Sequence, residues 1–121
     1  MWIRGPWRYA GPDWVRAKVT DRVAGVMAAE IQCDDADKLA ARWGEIVGQD
    51  PVADQAGGPT LGFDNGNVRF VACADGRPEG LGAIDIRCVD RAAMLEAAHA
   101  RGVAHTADQV TLCGLRINLV D

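Results

Sequence analysis

Between Gly25 and Cys33 the chain reads GVMAAEIQC, and towards its end polar and apolar residues alternate. A period of two predicts a strand, with Ala29, Ile31 and Cys33 on one side and Ala28, Glu30 and Gln32 on the other. The spacing then changes. In DADKLAARWGEIVG, Leu39, Trp43, Ile46 and Val47 recur at helical intervals; Asp34 and Asp35 supply N-cap chemistry and Gly48 a C-terminal stop. QDPVADQAGGPT reads as a turn-rich connection. Next, Asn65–Gly66 separates two β-prone runs, which predicts Thr60–Phe63 antiparallel to Val68–Ala74 across a type I′ turn. After DGRPEG the pattern restarts: a strand over Ala83–Val89, Asp90 as helix cap, an apolar helical face of Met94, Leu95 and Ala98, and Gly102 as stop. Strands over Gln109–Cys113 and Leu115–Val120, hinged near Gly114, complete the pattern.

The restart is a repeat. EIQCDD at Glu30–Asp35 returns as DIRCVD at Asp85–Asp90, so Ile31, Cys33 and Asp35 correspond to Ile86, Cys88 and Asp90, and Leu39 and Ala40 to Met94 and Leu95. Downstream, Gly66 with Val68-Arg69-Phe70 resembles Gly114 with Leu115-Arg116-Ile117. Each half reads strand, helix, strand group. Two such halves place their sheets side by side, helices outside and a concave face inside. The expected fold class is α+β, with two tandem βαβββ-type modules forming a curled mixed sheet around a cavity.

Composition narrows the function. With 121 residues, 49% hydrophobic and 25% charged, the chain fits one globular domain. No apolar run approaches the ~20 residues of a spanning helix, and MWIRGPWRYAGPDW lacks the apolar stretch of a signal peptide. The expectation is a cytoplasmic protein with no membrane partner. A net charge of −4 argues against nucleic acid. The first 24 residues differ from the rest: five basic residues against two acidic ones give +3, leaving −7 elsewhere. Residues 1–24 therefore read as a basic arm whose Trp2, Trp7, Tyr9 and Trp14 pack on the body or on a second subunit. Residues 25–121 read as the domain proper, module one at 25–76 and module two at 80–121. Cys33, Cys73, Cys88 and Cys113 each lie in an apolar run without C-x-x-C spacing, so the reading is buried thiols rather than disulfides or zinc.

This tandem pattern, with I-x-C-x-D leading into each helix, resembles the vicinal oxygen chelate superfamily of glyoxalase I, bleomycin-resistance proteins and extradiol dioxygenases. The resemblance covers about residues 25–121. It implies paired βαβββ modules curling around a cavity, frequent homodimers, and in many members a divalent ion held by His, Gln or Glu on the first strands and Glu on the last. Carried over, the first-strand ligand positions fall on Ala28 and Ala83, and VRFVACAD and LRINLVD contain no Glu. The expectation is therefore a pocket without the family's metal or any other cofactor, as in the bleomycin-resistance branch, for a small organic ligand.

On the same strand face stand Glu30 and Asp85, equivalent by the repeat, followed by Gln32 and Arg87. Three readings apply to the two acids. They form structural ion pairs, Glu30 with Arg87 and Asp85 with Arg69 or Arg116. Alternatively they act as a general acid/base pair of a lyase or isomerase on a carbonyl substrate, or they hold a hard divalent cation through oxygen. Gln32, Arg69, Arg87 and Arg116 are the candidate ligand-binding residues. His105, in VAHTADQ near the expected cavity mouth, is the further acid/base candidate; His99 reads as a helix-surface histidine. AGGPTLG lacks the Lys-Ser/Thr ending of a phosphate loop and precedes a strand.

Overall fold

The computed structural model describes residues 11–121. After a single 3-10 turn at Trp14–Ala17, the elements are β1 (Val23–Cys33), α1 (Ala36–Val47), β2 (Val52–Ala53), β3 (Pro59–Phe63), β4 (Gly66–Ala72), β5 (Gly80–Cys88), α2 (Arg91–Ala100), β6 (Gln109–Leu112) and β7 (Leu115–Val120). Both helices begin as their sequences dictate. The Asp35 carboxylate accepts a hydrogen bond from Lys38 N and that of Asp90 from Ala93 N, each satisfying a donor with no partner inside the helix. Gly48 ends α1 at φ +72°, a left-handed conformation that glycine adopts without strain.

The seven strands form one mixed, open sheet in the order β2-β3-β4-β1-β5-β7-β6. β1 and β5 pair antiparallel at the centre, and each has the last strand of its own half as its parallel outer neighbour, β4 beside β1 and β7 beside β5. The halves are thus related by a pseudo-twofold between β1 and β5. Two apolar clusters lie on the helix-covered face. Cys33, Ala40, Leu61 and Phe70 are buried beneath α1 with Leu39 and Trp43 packed against them. Ile86, Ala98, Val110 and Leu119 are buried beneath α2 with Met94 and Leu95. Alternation along each strand sends the polar set, Glu30, Arg69, Asp85 and Arg116, to the opposite, concave face.

The α+β fold expected from the sequence, two strand-helix-strands modules in one mixed sheet, is the fold observed; in the second half a lone bridge between His105 and Val110 stands where the first half has β2. Three finer expectations need correction. β2 itself lies in the stretch expected to be only a turn-rich connection, pairing Val52 and Ala53 with Thr60 and Pro59. The type I′ turn sits in the other hairpin: Cys113 (φ +51°) and Gly114 (φ +79°) join Leu112 to Leu115, whereas Asp64 and Asn65 make their turn with negative φ. Gly66 is needed for another reason. A Cβ there would overlap the Met27 carbonyl oxygen, so the residue is a close approach of β4 to β1. Finally, Cys113 is exposed rather than buried because it occupies that turn; all four thiols are free.

The two hairpins generate a prediction. Gly66→Ala is expected to cost about 1–3 kcal/mol, as overpacking against rigid backbone does, while Asn65→Ala stays within about 0.5 kcal/mol. Urea unfolding of both variants checks it. The reverse ranking would restore the Asn-Gly turn as the determinant.

Candidate functional site on the concave face

Strand register arranges the polar side chains in two rows across β4, β1, β5 and β7. One row reads Arg69–Glu30–Ala83–Arg116, the other Asn67–Ala28–Asp85–Asn118. In each row a carboxylate sits beside an alanine, and the order is reversed between rows by the pseudo-twofold. The alanines leave the space that the arginines cross. Arg116 reaches over Ala83 to Glu30, Nη2 to Oε1 at 3.0 Å. Arg69 reaches diagonally past Ala28 to Asp85, donating to both oxygens at 2.6 and 3.0 Å, while its Nη2 also donates to Glu30 at 3.2 Å. Asn118 donates to Asp85 at 2.8 Å and accepts from Gln109 at 2.8 Å.

The network continues into the DGRPEG loop. Gln32, fully buried, donates to Asp75 and to the Pro78 carbonyl, both at 3.0 Å, and accepts from Arg116 at 3.3 Å. Gly82 makes this contact possible: a Cβ there would stand 2.8 Å from both Arg116 Nη2 and Gln32 Oε1. Arg77 pairs with Asp75. Three acids and three arginines therefore balance, and all six side chains are no more than one-third exposed.

Electrostatics follows from this pairing. Burial pushes the Asp85 carboxyl up, but the Arg69 and Asn118 hydrogen bonds and the Arg69 charge together bring it below its usual range. The hydrogen bonds to Asp85 raise Arg69 above its ordinary value against the opposing effect of burial. Hydrogen bonding from Arg77 holds Asp75 well below the carboxylate range.

Of the residues expected from sequence, Glu30, Asp85, Arg69, Arg116 and Gln32 come together. The pairing differs in detail: Asp85 takes Arg69 as anticipated, whereas Glu30 takes Arg69 and Arg116 rather than Arg87. Arg87 is exposed and among the described residues has no acidic partner within salt-bridge distance. Arg69 and Arg116 are not equivalent rungs either. Arg69 pairs with Glu30 but Arg116 with Ala83, so Asn118 is the counterpart of Arg69 and Asn67 that of Arg116, a slip of two residues from the sequence alignment of the halves. His105 does not join them. Its ring stacks edge-on to His99 of α2, centroids 6.0 Å apart, and its Nδ1 faces the Val103 carbonyl. Trp2, Trp7 and Tyr9 lie outside the described residues.

Sequence reasoning missed Asn67, Asp75, Arg77, Gln109 and Asn118. The period of two that selects Arg69 and Arg116 also selects Asn67 and Asn118 and was a sufficient signal. Asp75 and Arg77 stand in a loop that only tertiary structure brings under Gln32. At the end of the asparagine row an open cavity of about 660 Å³ wraps the end of the sheet, bordered by Ala28, Gly62 and Asn67 from the concave face and by Ala29, Phe63 and Gln49 from the helix-covered side. Asn67 Oδ1 is buried with no hydrogen-bond partner among the described residues, a costly condition. Ala28 and Ala83 have no atom that binds a cation, and among the described residues no three His, Cys, Asp or Glu side chains gather.

Asp85 supplies a pH test. Because its folded pKa is depressed, its contribution to stability is complete above the unfolded value of about 3.9 and is lost as pH falls through the folded value. Asp85→Asn should be about 1–3 kcal/mol less stable than wild type at pH 7. The gap should narrow below about pH 4. Denaturant curves at both pH values would show a constant gap if the Asp85 charge were immaterial.

No protein-family model matches the chain, and no curated protein matches it in sequence. Its structure is similar to the crystal structure of methylmalonyl-CoA epimerase from Mycobacterium tuberculosis, with a TM-score of 0.60 and 17% identity, over 85% of this chain and 91% of that one. The likeness is one of fold, the α+β arrangement of a seven-stranded mixed sheet and two helices described above.

Proposed function

We propose that the chain binds a small polar organic molecule on its concave face, without the metal common in glyoxalase-like proteins. The observation that supports this reading is the open cavity at the end of the asparagine row, which Ala28, at the position of a family metal ligand, and Asn67 border. Asn67 and Gly62 border the cavity from the concave face, Phe63 lies at its edge on the other face, and the exposed Arg87 on the concave face attracts an anionic group. The charged floor serves as a rigid base. The fold shared with methylmalonyl-CoA epimerase is compatible with a small-molecule site in this place.

Proton transfer by Glu30 and Asp85 is the other reading. It is less well supported, because Asp85 gripped by Arg69 is a weak base, and each carboxylate would have to leave a guanidinium to reach a substrate. A cation between the two acids would compete with Arg69 for the same oxygens. The reading includes a homodimer, which light scattering would weigh. Among the described residues no helix is long and apolar enough to cross a membrane.

A thermal-shift panel of small hydroxy-, keto- and amino-carboxylates, run with EDTA and with Mg²⁺ or Mn²⁺, tests the proposal. The expected result is stabilisation that ignores the chelator, disappears in Ala28→Leu and weakens about tenfold in Arg87→Gln. Stoichiometric metal in the purified protein, lost in Glu30→Ala/Asp85→Ala, would replace it with a metal-dependent enzyme.

A further inference from the structure

The pseudo-twofold makes the two helix-to-sheet layers directly comparable, and they are filled differently. At the 55-residue offset of the repeat, Trp43 of α1 corresponds to Ala98 of α2. On the sheet below, Phe70 is the rung partner of Ile31 and Leu119 that of the equivalent Ile86. In the first half the Trp43 indole packs edge-on against Phe70, ring centroids 5.4 Å apart. In the second half alanine faces leucine, and the space is not filled. A cavity of about 320 Å³ remains between α2 and the sheet, bordered by Ile86, Met94, Ala98, Val110 and Leu119. Of these, Ile86, Ala98, Val110 and Leu119 are each at most 8% exposed, so the floor of the space is interior.

The lining is almost wholly hydrocarbon, and one charged side chain, Arg101 just beyond the end of α2, borders it. Protein interiors are ordinarily packed without voids of this size, and a hydrocarbon-walled space holds water poorly. At the ~30 Å³ that a water-sized group occupies in a liquid, the cavity holds roughly ten non-hydrogen atoms. Arg101 gives one N–H to the Ala97 carbonyl at 3.3 Å and directs positive charge to the rim.

From these three features, namely interior hydrocarbon walls, room for about ten heavy atoms and a single guanidinium at the edge, we infer that the space beneath α2 is a second binding site. Its ligand is a small amphiphilic carboxylate, its apolar tail under α2 and its carboxylate paired with Arg101. The site lies on the face of the sheet opposite Glu30 and Asp85 and does not depend on the proposed concave-face function.

Octanoate is the probe, followed by NMR of the side-chain methyl groups in the full chain. Saturable shifts at Ile86, Val110 and Leu119 are expected, with the methyl of Ala28 on the concave face unmoved. Ala98→Trp, which copies the filled first half, should abolish them. Ala98→Leu removes part of the volume and serves if the tryptophan does not fold. Arg101→Gln should weaken octanoate about fivefold, the scale of an exposed ion pair, and leave 1-octanol unchanged. Saturable shifts at Ala28 instead, no saturable shift at all, or octanoate binding that both Ala98 variants retain would each overturn the inference. Equal loss of octanoate and octanol in Arg101→Gln would overturn the carboxylate assignment.

Discussion

Two arginines crossing over two alanines hold the concave face together. Glu30 and Asp85 lie on adjacent central strands, and burying them side by side without counter-charge would be severely unfavourable. Arg69 and Arg116 supply that charge from the flanking strands, and only because Ala28 and Ala83 leave the intervening positions low. A larger residue at either alanine would lift a guanidinium away from its carboxylate. Small residues there make room for the ion pairs.

This constraint propagates outward. Arg116 must also meet Gln32, which requires Gly82. Gln32 in turn ties down Asp75 and the Pro78 carbonyl, fixing the connection between the two halves. The opposite face is organised by size rather than charge, with Trp43 on Phe70 in one half and Ala98 above Leu119 in the other. The two halves share one strand arrangement about the pseudo-twofold and are filled differently on both faces.

Much of this was legible in the sequence because it is periodic. Alternation assigned Glu30, Gln32 and Asp85 to one face, and Asp35 and Asp90 announced both helices through their short acceptor side chains. The hairpins were harder. Asn65–Gly66 has the composition of a type I′ turn, yet Gly66 is spent on a contact with Met27 that no local pattern reveals, and the turn itself went to Cys113–Gly114. Pairing across strands was the other limit. Which arginine faces Glu30 depends on the β4 and β7 registers, and a two-residue slip in aligning the halves was enough to make Arg69 and Arg116 look equivalent. His105 was misplaced because a loop after a helix has no period to say which face of the sheet it joins.

The most direct test of the account is a double-mutant cycle between Arg116→Met and Glu30→Gln, read by denaturant unfolding at neutral pH. The exposed helix pair Arg42–Glu45 is the internal control. A floor built on arginines crossing the alanines predicts a coupling of about 1–2 kcal/mol for Arg116 and Glu30, against about 0.5 kcal/mol or less for the control. Equal couplings would mean that the two charges act as independent surface groups, and the concave face would then need another explanation.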